Sequence, residues 1–273
     1  MRRVTHVFSC RLFRLLSCFL LATPLASAAQ QHAVDLEGTH AIRAGTLEFR
    51  DGVMIDGVPV LRVLRWRGEK ATLLHEIRPA DLPILNEDCE GECEYVKSTP
   101  CRGKCVFGGV GTLAFDPTKN TAYLFADTGF GHNFTRVVVA LDVQTGALRR
   151  LGTEFGSGFS DARTSPDGRY LAYLMGSTRG AMDGSSMLHI MDTQTGDVVS
   201  LTTRERRSRK LDSETLVDVN SYAWTGVSTI TFKAEIRRAK ADPDDLIEPT
   251  EHFERTEDLA KLFAAGEGKS GRQ

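Results

Sequence analysis

The segment of this 273-residue chain best furnished for chemistry is Asp127-Thr128-Gly129-Phe130-Gly131-His132-Asn133-Phe134. A carboxylate, an imidazole and a carboxamide stand beside two glycines and two phenylalanines, so one short stretch offers hydrogen-bonding groups and apolar anchors on a pliable backbone. Such a loop can grip a ligand or a protein, which makes Asp127, Phe130, His132, Asn133 and Phe134 the candidate partner-binding residues. The plainer reading of the same residues is a polar hairpin loop.

The second chemical feature is Cys89, Cys93, Cys101 and Cys105, spaced C-x3-C-x7-C-x3-C around Pro100. Four cysteines permit three disulfide pairings. If the two short arms run antiparallel, the nested pairs Cys89 to Cys105 and Cys93 to Cys101 form naturally, and the segment becomes a stapled loop. Four thiolates can also hold zinc, although C-x2-C spacing is commoner there. Glu87, Asp88, Glu90, Glu92 and Glu94 lack the regular spacing and turn glycine of a calcium loop.

Other reactive types are scattered. His32, His40, His75, His132, His189 and His252 show no H-E-x-x-H pattern or close metal-ligand spacing. His189 alternates within an expected strand and reads as a packed or rim residue. Gly156-Ser157-Gly158-Phe159-Ser160 is glycine-rich but has the wrong order for a nucleophile elbow. No phosphate-cradling loop is present, so no catalytic residues, resident metal or cofactor are expected.

The elements that must position these residues begin after an export signal. Arg2, Arg3, Arg11 and Arg14 precede the apolar run Leu15 to Leu25, which ends in Ala26-Ser27-Ala28. Residues 1–28 therefore read as a cleavable signal peptide, because the apolar run of about 11 residues is short of the ~18 that a spanning helix needs. The expected location is periplasmic or secreted, with no membrane insertion after cleavage. Cleavage leaves 30 Lys and Arg against 36 Asp and Glu, a net charge of −6. An acidic chain with no basic stripe argues against a nucleic-acid partner. Its one basic cluster, Arg204 to Lys210, reads as a solvated loop, or more sharply as a site for an acidic protein.

A repeated order of motifs sets the architecture. Ser165-Pro166-Asp167-Gly168-Arg169-Tyr170-Leu171-Ala172-Tyr173 leads into Asp192-Thr193-Gln194-Thr195-Gly196, and Phe115-Asp116-Pro117 leads through Ala122-Tyr123-Leu124-Phe125 into Asp142-Val143-Gln144-Thr145-Gly146. Turn, strand, strand, Asp-x-x-Thr-Gly turn and strand make one blade of a β-propeller. Alternation places a degenerate first blade at about 40–78, further blades at about 108–152 and 155–203, and a weak fourth from Val217. The fold class is therefore all-β, a small propeller or open propeller fragment of about four blades. Residues 29–240 form this domain, with a disulfide-stapled insert at 79–107. Residues 241–273 form an acidic tail with a short C-terminal helix near 256–265.

The Ser165 to Tyr173 unit, closed by Asp192-x-x-Thr195-Gly196, resembles the repeat of the TolB-type propellers. The Asp116 to Gly146 segment is a looser copy, and the two cover about 95 residues. The resemblance implies a scaffold whose function sits in its loops. The expected function is an exported, non-catalytic module that binds a protein partner in the periplasm or envelope. An inhibitor or immunity protein against a periplasmic toxin is a specific form of it. The rival is a metal-dependent hydrolase working at the propeller channel.

Overall fold

Alternating apolar positions bounded by Gly, Asp and Pro build strands here in the order the sequence predicts. The computed structural model describes residues 32–36, 39–84, 109–128, 134–156, 158–176, 185–212, 215–238 and 249–266. The first sheet contains β1 (His32–Leu36), β2 (Thr39–Ala44), β3 (Leu47–Ile55), β4 (Val58–Arg67) and β5 (Lys70–Ile77). The second contains β6 (Val110–Asp116), β7 (Thr121–Asp127), β8 (Phe134–Asp142) and β9 (Leu148–Gly156). The third contains β10 (Phe159–Thr164), β11 (Tyr170–Gly176), β12 (Ser186–Asp192) and β13 (Val198–Ser200). The fourth contains β14 (Thr215–Trp224), β15 (Thr229–Arg238) and β16 (Glu251–Asp258). Within each sheet the strands lie in chain order and pair antiparallel.

Three apolar cores lie between successive sheets. Phe49, Leu61 and Val63 meet Phe115, Leu124 and Val139 between the first and second. Leu113, Tyr123 and Val138 meet Leu171, Tyr173 and Met191 between the second and third. Tyr170, Leu188 and Ile190 meet Val217, Phe232 and Ile236 between the third and fourth. Tyr170 and Tyr173 thus point to opposite faces of β11, as a period of two requires. Each fully buried Leu or Val stabilises by about 1.5–3 kcal/mol, so both faces of the middle sheets contribute.

The repeated motif is the joint between sheets. Asp142 Oδ1 accepts Gln144 N at 2.8 Å and Thr145 N at 3.0 Å, and Asp192 Oδ1 accepts Gln194 N at 2.8 Å in the matching turn. Gly196 closes that turn at φ +79°, where a Cβ would come 1.9 Å from the Leu151 carbonyl oxygen of the preceding sheet. Only glycine fits both demands. In the Ser-Pro-Asp-Gly turn, Ser165 Oγ accepts Tyr170 N at 2.9 Å and donates to Asp167 at 2.7 Å. Gly168, at φ +67°, lies against the Asp116 carboxylate of the second sheet.

Several expectations change. Residues 201–208 form helix α1 (Leu201–Ser208), not a loop, because Ser200 caps it by accepting Thr203 N and because Leu201, Thr202 and Glu205 are buried. Thr202 also accepts Leu188 N at 2.9 Å. The tail expected from residue 241 includes β16, which pairs with β15 along its whole length. The terminal helix α2 (Leu259–Ala264) starts three residues later than the expected Thr256, directly after the cap residue Asp258. At the start of the expected insert, Pro79–Asp81 make a 3-10 turn, and Leu82 and Ile84 enter the first core. Cys89, Cys93, Cys101 and Cys105 lie outside the described residues.

Candidate functional site

The candidate loop is mounted on a clamped stem. Asp127 ends β7 and stands opposite Arg136 on β8, and the side chains of the part-buried Asp127 and the buried Arg136 meet at 2.6 Å in an ion pair. Burial pushes the Asp127 carboxyl above its usual range, and the Arg136 charge only partly opposes that shift. The guanidinium of Arg136 lies 6.0 Å from the Phe125 ring centre and 5.4 Å from that of Phe159. Thr128 closes the stem, donating from its amide at 2.8 Å and its hydroxyl at 3.0 Å to the Thr135 carbonyl. Asp127 therefore faces inward as a structural ion. Phe130, His132 and Asn133 lie outside the described residues, and Phe134 opens β8 opposite Gly156.

The clamp continues as a polar seam between the second and third sheets. Arg136 stands opposite Glu154 on β9, and Glu154 Oε2 lies 2.9 Å from Nδ1 of His189 on β12. His189 is paired across the ladder with Tyr173, whose hydroxyl burial, and then the Glu154 charge, push well above its normal range. Phe125, Phe159, Tyr173 and His189 form a continuous run of rings with centroids 5.1–5.8 Å apart. Chemically, a carboxylate orients an imidazole beside a phenol that resists ionisation. That set holds two sheets in register and offers no activated nucleophile. His189 is thus the packed residue the sequence predicts. Arg136, Glu154 and Tyr173 were missed, since their meeting depends on strand register.

The basic cluster is largely answered from within the chain. Arg204 pairs with Glu257 at 2.7 Å, Arg209 with Glu205 and with Glu251 at 2.7 Å, and Arg206 donates to the Asp212 carbonyl at 3.0 Å. Arg209 also lies 4.4 Å over the Phe253 ring. Arg204 and Arg209 tie α1 and its C-terminal end to β16, and the reading as a site for an acidic protein loses two of its donors. Among the described residues, no group of three or more His, Cys, Asp or Glu gathers in a way that could hold a metal. No described helix is long and apolar enough to cross a membrane.

The connections differ between the two ends of the sheets. At one end, β6–β7, β8–β9, β10–β11, β12–β13 and β14–β15 are joined by four or five residues each. The opposite end carries the connections 78–109, 128–133, 157–158, 177–185, 201–214 and 239–250. The clamped stem belongs to this second end.

No family model matches the chain, and no curated protein matches it. Its neighbours among solved structures are all-β, propeller-like proteins. A puromycin hydrolase mutant is 15% identical, with 76% of this chain and 29% of that chain covered and a TM-score of 0.41. An acylaminoacyl peptidase from Pyrococcus horikoshii is 9% identical, with 81% and 32% covered and a TM-score of 0.37. A protein from Lactobacillus plantarum is 12% identical, with 81% and 69% covered and a TM-score of 0.33. The chain spans about a third of the length of the first solved structures it matches. At these scores the likenesses carry no argument about activity.

Proposed function

We propose that this chain is an exported module of the TolB type that binds a protein partner in the periplasm or envelope and performs no catalysis. Binding is assigned to the connections at the long-loop end, chiefly the cysteine-bearing segment 85–108 and the segment 129–133. The observation that supports this reading is the stem. Asp127, Arg136 and Thr128 spend their polar groups on fixing the root of the 129–133 connection, which is how a rigid scaffold presents a recognition loop. A periplasmic inhibitor or immunity protein is the specific form we favour, since such a protein acts by lodging a protruding loop in a cleft.

The experiment is a stringent pull-down from envelope extract, with native and denaturing mass measured with and without reductant. One stoichiometric companion, lost when 129–133 is replaced by a short Gly-Ser turn, is the expected result. A metal-bearing chain with no companion and a chelator-sensitive hydrolytic activity would overturn it in favour of the hydrolase.

A further inference from the structure

The hairpin that joins β3 to β4 changes character at its tip. Toward its base the paired strands mix charged and apolar residues, with Arg50 opposite Arg62 and Phe49 opposite Val63. Beyond the bulge between Arg50 and Val53, the run Val53-Met54-Ile55-Asp56-Gly57-Val58-Pro59-Val60 carries a single charge. Met54 is paired with Pro59 and Ile55 with Val58, and residues opposite one another in a ladder share a face, so both faces of the tip are apolar. Met54 is 62% exposed and Val58 38%, while Val60 is buried and roots the hairpin. Two of the four large apolar residues exposed among those described thus lie within two residues of one turn.

The tip is ordered before it meets anything. Asp56 at φ 51° and Gly57 at φ 77° are both left-handed, as in a type I′ turn, whose twist matches that of the flanking strands. Nothing lies within 4 Å of the position a Gly57 Cβ would take, so the apex points into open space. At the base, Asp51 accepts Thr112 N at 2.8 Å and Thr112 Oγ1 at 2.9 Å, which ties the hairpin to β6. A Cβ on Gly109 would lie 3.2 Å from Pro59 Cβ. Gly109 precedes Val110, and Val110 is paired with Ala126, the chain neighbour of Asp127. The tip therefore stands at the long-loop end, beside the root of the 129–133 connection. An element fixed in advance loses little freedom on binding.

We propose that this tip is the apolar anchor of the partner contact. It inserts Met54, Ile55 and Val58 into an apolar cleft of the envelope protein, where a hydrogen-bond donor receives the Asp56 carboxylate. The inference rests on the binding reading above and assigns its surface. An anionic bilayer is the other destination open to an apolar tip, and a carboxylate at the apex disfavours it.

The test compares Met54→Asp with Val58→Asp, and the milder Met54→Gln with Val58→Thr, against Val227→Asp, which charges a comparably exposed residue at the other end of the sheets. The companion captured by the native chain is purified and titrated against each variant. Both tip variants are expected to bind it more weakly, the aspartate pair by at least ~30-fold, as when a central anchor is lost, with circular dichroism unchanged. Val227→Asp should bind as the native chain does. A photo-crosslinking side chain at position 54 should join the companion, and one at position 227 should not. Tip variants that bind like the native chain would overturn this inference and leave the binding reading standing. A native chain that captures no companion overturns both. Flotation of the native chain, but not of the tip variants, with vesicles of phosphatidylethanolamine and phosphatidylglycerol would assign the tip to a membrane and overturn the protein cleft.

Discussion

Among the described residues, apolar clusters cover both faces of the second and third sheets and one face each of the first and fourth. The difference shows in the sequence as well as in the packing. Where a sheet must receive a neighbour on each side, its turn glycine is fixed by both conformation and space. Gly196 has a backbone carbonyl at 1.9 Å from where a Cβ would lie. In the first sheet Gly45 has nearly the same φ, +61°, with nothing within 4 Å. The repeat is therefore sharp in the middle of the array and fades toward its ends, because only internal joints demand it.

Gly196→Ala gives the largest expected effect, about 4 kcal/mol in urea unfolding, since strain and a backbone clash combine. Gly45→Ala should cost about 1 kcal/mol, the strain alone. Equal costs at the two sites would break the comparison. Arg136→Met comes next, at about 2 kcal/mol, because it leaves the part-buried Asp127 carboxylate without its partner. A cost near zero would place that ion pair outside the joint.

The pH dependence of Asp127 sharpens the same point. Its folded pKa is raised above the unfolded value of 3.8, so its contribution is fully present below that value and is lost as pH rises through the folded pKa. Relative to Asp127→Asn, the wild type should lose stability as pH climbs from about 4 and then level off. Parallel profiles for the two proteins, read from urea midpoints at several pH values, would contradict this. The smallest effect is expected at Lys233→Ala on the fourth sheet, where an exposed pair with Glu254 at 3.6 Å should leave the unfolding midpoint unchanged.

Much of the fold was legible because turn chemistry is local. Asp142 and Asp192 bind amides two and three residues ahead, which is a pattern a sequence displays directly. The facing of Tyr170 and Tyr173 followed from strand period. Helix α1 was hidden because Arg204, Glu205, Arg206 and Arg207 look like a solvated run. Its signals were Ser200 as cap and the burial of Leu201 and Glu205 on one side. Strand β16 was hidden by its charges, of which Glu251, Arg255 and Glu257 pair with Arg209, Glu205 and Arg204 in and beside α1. Of the candidate site, Asp127 was visible but its role was not, since Arg136 and Glu154 reach it only through the registers of β7, β8 and β9.

The claim that the middle sheets form the rigid platform is tested most directly by amide hydrogen exchange resolved along the chain. The account predicts the slowest exchange in β7, β8, β11 and β12, approaching the free energy of global unfolding, with β2 and β16 opening well below it. Uniform protection across all four sheets, or slower exchange in the first and fourth than in the second and third, would contradict it.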